Sequence, residues 1–252
     1  MSENFWINTQ LTVVGPNGGG QSTHSADVGS LSRYRDVVVQ AKDIPDATVA
    51  RLPIYRRALV ELAASDNSTV SSAALADLAG VNAAKVRKDL SYIGTTGVRG
   101  VGYDVKYLLH QIGNALGLDV EAPVLIVGMG NLGQALADYG GFGSRGFPIV
   151  ALVDAAPDKV GTEIAGLTVH PPEKVAELVR KLDIRIGIIA TPASAAQAVV
   201  DALVEAGVGS IMSFAPTVVQ VPDSIPLRKV DLATELQILN YYEQREHDGK
   251  TA

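Results

Sequence analysis

Cysteine is absent from the chain. That excludes disulfides, thiolate metal sites, cysteine nucleophiles and thiol-based redox sensing, and it suits a reducing compartment. No apolar run reaches the roughly 18 residues needed to cross a bilayer. The opening residues, Met1 to Trp6, lack the basic start and apolar stretch of a secretory signal. A soluble, cytoplasmic protein is expected. Histidine is scarce, with His24, His110, His170 and His247 the full set, and the pattern puts none of them at the carboxyl end of a strand. A dehydrogenase needs a proton donor or acceptor beside its hydride acceptor. No such catalytic residue and no metal-ligand set is evident.

What is present is globular in composition. The 252 residues are 47% apolar and 19% charged, the balance of one or two folded domains. The net charge of −6, taken alone, opposes nucleic-acid binding. It is unevenly spread. Arg51–Gly117 holds eight Lys/Arg and five Asp/Glu, a balance of +3 that leaves −9 elsewhere. Phosphates respond to the local field and not to the total.

Four segments follow from the patterning. Residues 1–48 read as a disordered tail, because the Gly/Ser/Asn-rich stretch from Pro16 to Ser25 buries too little apolar surface to offset its ordering entropy. Val37–Val39 is a candidate short element within it. Residues 49–120 turn helical, with Ile54, Ala58, Leu59, Leu62 and Ala63 on one stripe. Ser71 or Ser72 caps a second predicted helix that stops at Gly80, and Asn82 caps a third, Ala83 to Tyr92. Gly94–Gly102 reads as a hairpin-like loop, and a helix from Val105 to Leu116 closes the segment. Residues 121–228 change period. Strands are predicted at Val124–Val127, Ile149–Val153, Ile184–Ala190 and Ser210–Phe214, and helices at Leu132–Tyr139, Val175–Lys181 and Ala193–Ala206. That alternation predicts a parallel α/β sheet. Residues 229–252 leave the sheet as an amphipathic helix, Leu232 to Tyr242, and a short tail.

Gly128-Met129-Gly130-Asn131-Leu132-Gly133 follows the first strand of that sheet and opens a helix, the context in which G-x-G-x-x-G signals a dinucleotide site. The first glycine permits a tight turn, the second lets the backbone approach a pyrophosphate, and the third lets helix and strand pack closely. Asp154 ends the next strand, 21 residues after Gly133, where a carboxylate would bond the adenosine ribose hydroxyls. Ala155-Ala156-Pro157 supply no arginine for a 2′-phosphate, which favours NAD(H) over NADP(H). Thr191, Pro192 and Phe214 end the later strands and are expected to line the nicotinamide side. A glycine turn holding no ligand is the plainer alternative, and an ordinary core aromatic is the plainer reading of Phe214.

In the basic segment, helix, turn, helix and glycine-rich loop describe a winged helix-turn-helix. Val86, Leu90 and Ile93 make one face of the third helix apolar. Lys85 and Lys88 lie on another face with Arg87 at its edge, and Ser91 follows them. Such a helix enters the major groove, where its side chains reach phosphates or guanine edges. Arg99, at the tip of the loop, is placed for phosphate or minor groove. A solvated basic face is the competing reading.

Val86–Gly94, Arg99–Tyr103, Val127–Gly133, Ala137–Phe142, Ser213–Pro216 and Val230-Asp231 together resemble the Rex family of redox-sensing transcriptional repressors, over about Arg51 to Tyr242. The resemblance implies a homodimer on a palindromic operator. It also implies an N-terminal winged helix, a central NAD-binding Rossmann domain and a C-terminal helix exchanged between subunits, with NADH releasing the DNA. Arg57, Tyr139 and Asp231 correspond to the family's coupling arginine, tyrosine and aspartate. Leu232 stands where the family often has phenylalanine. Two alternatives keep the α/β sheet but not the repressor: an NAD-dependent oxidoreductase with an accessory basic domain, and a CoA- or nucleotide-binding module.

Overall fold

The computed structural model describes residues 44–250. Val37–Val39 and most of the segment expected to be disordered lie outside them. The last five residues of that segment are structured: α1 (Asp46–Val49) is a helical turn in which Thr48 is buried. The tail reading therefore fails from about residue 45. Low-complexity composition does not reveal that a single threonine hydroxyl is anchored elsewhere in the fold.

α2 (Leu52–Ala64) follows, starting with Pro53 in its first turn, where a missing N–H costs nothing. β1 (Thr69–Val70) leads into α3 (Ser72–Ala79), whose first turn is capped by the Ser71 hydroxyl and whose end is Gly80 in the left-handed region, φ +66°. α4 (Ala83–Tyr92) is capped by Asn82, whose Oδ1 accepts from Lys85 N at 2.8 Å. The expected hairpin is shorter than its glycines suggested. Within Gly94–Gly102 a single bridge joins Val98 to Gly102, and the ladder forms between β1 and β2 (Tyr103–Asp104). α5 (Val105–Ala115) packs on α2. Leu52, Tyr55, Leu59, Leu75, Val86, Leu90, Leu108 and Ile112 form the buried centre of this helical domain.

The second domain is a seven-stranded sheet. Its elements are β3 (Val124–Val127), α6 (Asn131–Ala137), β4 (Ile149–Val153), β5 (Glu163–Ile164), β6 (Leu167–His170), α7 (Val175–Lys181), β7 (Ile186–Ile189), α8 (Ala193–Glu205), β8 (Ser210–Ser213) and β9 (Leu227–Lys229). The spatial order is β5-β6-β4-β3-β7-β8-β9, parallel except for the β5–β6 pair. β3 is buried on both faces. Leu125 and Val127 pack into one apolar cluster and Val124 and Ile126 into the other, as a period of two requires. α9 (Leu232–Lys250) closes the chain. Leu232, Leu236, Leu239 and Tyr242 on it are exposed. Among the described residues no helix is long and apolar enough to cross a membrane.

Candidate functional site

The glycine turn sits at the carboxyl end of β3. Gly128 has φ +100°, and a Cβ there would lie 2.7 Å from the Ala190 carbonyl oxygen. A Cβ on Gly133 would overlap the Gly128 carbonyl oxygen. Both positions therefore exclude any side chain, and the turn lies tight against β7 and α6. Asp154 stitches it to β4. Its Oδ2 accepts from Met129 N at 2.6 Å and its Oδ1 from Ala156 N at 2.8 Å. Burial opposes ionisation of this carboxyl, but the two backbone N–H groups and the nearby Lys159 ammonium outweigh it, and the pKa is held below the ordinary carboxylate range.

Above the turn opens a cavity of about 720 Å³ with walls that are mostly apolar, within the range of small-molecule sites. Gly128, Gly130, Asn131, Leu132, Asp154, Thr191, Pro192 and Phe214 all line it. Two further expected residues, Met129 and Gly133, do not. The Met129 side chain is fully buried in the core beneath, leaving its backbone N–H to bond Asp154. Gly133 faces the Gly128 carbonyl. Lys159, from the turn after β4, also lines the cavity, as do apolar residues of α7 and α8. The Thr191 hydroxyl is buried at the cavity wall with no hydrogen-bond partner. A steric cradle, a fixed carboxylate and an orphaned hydroxyl together fit a dinucleotide. The histidine reading needs one correction: His170 ends β6, parallel to β4, at a strand's carboxyl end. Leu167–His170 alternates polar and apolar residues over only four positions and lacks the continuous apolar run that marks β3, so the sequence does not declare it a strand. His170 is not among the residues lining the cavity.

In the helical domain Lys85, Arg87, Lys88 and Ser91 are exposed on α4, and Arg99 is exposed in the glycine-rich loop. Arg87 Nη1 donates to Ser72 Oγ at 3.1 Å, which holds its guanidinium over the start of α3. Arg87 and Arg99 share a groove with Ser71 and Ser72. Ser91 Oγ donates to the Lys88 carbonyl at 2.6 Å, so its hydroxyl hydrogen is already engaged.

One cluster was missed from the sequence. Asp89, 2% exposed, lies on the buried side of α4. Its carboxylate accepts from Thr48 Oγ1 at 2.9 Å, from Arg51 Nε and Nη2 at 2.6 and 2.7 Å, and from Tyr55 Oη at 2.6 Å. α4 is thus tied to α1 and α2 by a fully satisfied ionic network. Burial opposes ionisation here too, but the bonds from Arg51, Tyr55 and Thr48 prevail and the Asp89 pKa is lowered. Burial and the neighbouring carboxylate push the Tyr55 phenol up.

Arg57, Tyr139 and Asp231 are not joined by any hydrogen bond in the single chain. Arg57 is exposed on α2. Tyr139 Oη accepts from Arg145 Nη1 at 3.2 Å, with its ring edge-on to Phe142 at 4.9 Å. Asp231 Oδ1 accepts from Ala233 N and Thr234 N at the start of α9.

Comparison with known proteins gives the family. A family model for the CoA binding domain matches residues 119–217, and one described as "Putative DNA-binding protein N-terminus" matches residues 43–91. The redox-sensing transcriptional repressor Rex of Streptomyces coelicolor is 56% identical over 223 residues, which cover 88% of this chain and 86% of that protein. The chain belongs to the Rex family. The Rex of Pelotomaculum thermopropionicum is 46% identical, over 81% of this chain and 95% of its own. The crystal structure of RSP, a Rex-family repressor, in complex with β-NAD⁺ and operator DNA has a TM-score of 0.77 at 36% identity, covering 82% of this chain and 96% of RSP. RSP with β-NADH gives 0.74 at 35% identity, over 83% and 98%. These relatives are named as transcriptional repressors, and RSP shares this chain's fold over most of its length.

Proposed function

We propose that the protein is a transcriptional repressor that binds a palindromic operator as a homodimer and reads the cellular NADH/NAD⁺ ratio, with NADH releasing the DNA. One observation carries this reading. A single chain joins an apolar, dinucleotide-sized cavity at a glycine turn to a capped helix that exposes Lys85, Arg87 and Lys88.

The nicotinamide is a ligand here and not a reactant. NADH and NAD⁺ differ by a ring charge, and walls built mostly of apolar residues disfavour the cation. The glycine turn would hold the pyrophosphate, Asp154 the adenosine ribose, and Thr191, Pro192 and Phe214 the far end. On the DNA, Lys85, Arg87, Lys88 and Ser91 would face the major groove and Arg99 the adjoining backbone or minor groove. The exposed apolar side chains of α9 fit a helix that is covered by the partner subunit. In that dimer Arg57, Tyr139 and Asp231 would couple head and sheet. Moving the dimer from 1:99 to 99:1 requires NADH to prefer the released form by about 5.5 kcal/mol. Linkage then obliges operator DNA to weaken NADH binding by the same factor.

A gel shift of a palindromic operator with NADH, NAD⁺, NADPH and CoA in separate lanes tests the reading. NADH alone should abolish the shift. Release by CoA and not by NADH would assign the cavity to the other ligand class, and NADH affinity unmoved by saturating operator would remove the switch.

A further inference from the structure

The residues following Asp154 in the sequence offer no arginine, but the fold brings a different cation to the same place. After β4 the chain turns back on itself. Lys159 N and Val160 N donate to the Ala156 carbonyl at 3.0 and 3.2 Å, and the Lys159 carbonyl accepts from Thr162 N and Oγ1 at 3.0 and 2.6 Å. The turn is therefore fixed, and it aims Lys159 Nζ at Asp154 Oδ2, 3.4 Å away. The Asp154 and Lys159 side chains are 12% and 33% exposed. They are the two charged residues lining the cavity.

Given the ribose role of Asp154, we infer that Lys159 is a latent phosphate ligand at the 2′ position of the adenosine ribose, silenced by its pairing with that carboxylate. The inference rests on the dinucleotide reading above. As the pair stands its net charge is zero, and a 2′-phosphate would meet the carboxylate first. Once the carboxylate loses its charge, the same turn presents one uncompensated ammonium at a half-enclosed edge of the cavity. A lysine binds phosphate as a point charge, and at such an edge solvent screens it less than on an open surface. Asp154 has a second duty, because its Oδ2 accepts from Met129 N. Asparagine keeps one acceptor oxygen for Met129 N, removes the charge and turns an amide NH2 toward Ala156 N, which is why the unfolding control and the Lys159→Met arm accompany it.

The test titrates NADH and NADPH into full-length wild-type protein, Asp154→Asn, Lys159→Met and the double variant, with thermal unfolding of each ligand-free protein alongside. Wild type should bind NADH about 100-fold more tightly than NADPH, a difference of two decades in Kd. Asp154→Asn should tighten NADPH about tenfold and weaken NADH about tenfold. Adding Lys159→Met should remove the NADPH gain and leave NADH within about threefold of the single variant. Lys159→Met alone, with the carboxylate unopposed, should widen the preference for NADH about tenfold, and this arm decides the matter even if Asp154→Asn unfolds. An NADPH gain that survives in the double variant overturns the inference, as does unchanged selectivity in Lys159→Met or wild-type protein that does not discriminate. Wild-type protein that binds neither nucleotide overturns the dinucleotide reading itself, and the inference falls with it.

Discussion

The two domains fix their working surfaces by opposite means. In the head, the orientation of α4 is held by charge: one buried carboxylate, Asp89, gathers four hydrogen bonds from Thr48, Arg51 and Tyr55. In the sheet domain the glycine turn is held largely by the absence of side chains, with Gly128 and Gly133 pressed against backbone oxygens. A surface fixed by charge tolerates changes of shape and fails when a proton or a partner is changed. One fixed by close packing tolerates changes of charge and fails when a methyl is added. Asp154, which ties the turn to β4, is where the second domain borrows the first one's device.

The largest effect that would break this contrast is expected at Asp89. Asp89→Ala leaves the Arg51 guanidinium and the Tyr55 hydroxyl without their acceptor. Breaking a fully buried pair costs about 3–5 kcal/mol, and the loss here falls toward the lower end because the Arg51 side chain is 21% exposed. Denaturant unfolding of the head should register that loss. NADH binding by the sheet domain should not change. Gly133→Ala should do the reverse. A Cβ facing the Gly128 carbonyl forces a backbone shift costing about 1–3 kcal/mol, so NADH affinity falls and the unfolding of the head is unaltered. If either substitution acts equally on both domains, the division into two modes of support is wrong.

Acidification sharpens the same comparison. The Asp89 pKa is depressed in the folded protein, so the network's contribution is present in full above the unfolded carboxyl value of about 3.9. It is lost as pH falls through the lower native value. Head stability should be flat near neutrality and drop steeply below about pH 4. Asp89→Asn starts lower but should drop less over that range, and equal slopes would show that Asp89 is not the group responsible. Smaller still is the effect at the DNA surface. Arg87→Ala should weaken operator binding by about 1–3 kcal/mol if the guanidinium meets a guanine edge, with NADH affinity unchanged. Wild-type operator binding by this variant would exclude α4 as the recognition helix.

What the sequence disclosed divides along similar lines. α4 was legible because its signals are local: Asn82 at the cap, Val86, Leu90 and Ile93 on one stripe. The glycine turn was legible because backbone crowding leaves a residue-type signature between a strand and a helix. Asp89 was not. In a basic helix an acidic residue looks like a solvated counter-charge, and its partners lie 34 to 41 positions earlier in the chain. Thr48 shared that fate, hidden at the edge of a low-complexity segment. Lys159 was passed over because it stands five residues beyond Asp154, and only the turn built on the Ala156 carbonyl brings it back. β5, β6 and β9 mix polar with apolar residues over two to four positions, so they show neither the continuous apolar run that marks the equally short β3 nor enough alternation to declare a strand. Local chemistry leaves a trace in sequence, whereas contacts made by chain reversal do not.

Thr191 offers the finest test, because its two effects should have opposite signs. Its hydroxyl is buried at the cavity wall and unpartnered, and an unsatisfied buried group costs about 1–3 kcal/mol of desolvation. Valine has nearly the same shape without that cost. Thr191→Val should therefore leave the ligand-free protein as stable as wild type or raise its Tm. If the hydroxyl is held in reserve for a polar atom of the dinucleotide, the same variant should bind NADH about tenfold more weakly, the loss of one hydrogen bond of about 1.4 kcal/mol. A lowered Tm would mean that the hydroxyl already has a partner in the folded protein, and unchanged affinity would mean that the ligand never meets it. Only stability kept and affinity lost together identify a polar group that the fold leaves unsatisfied so that the nucleotide can satisfy it.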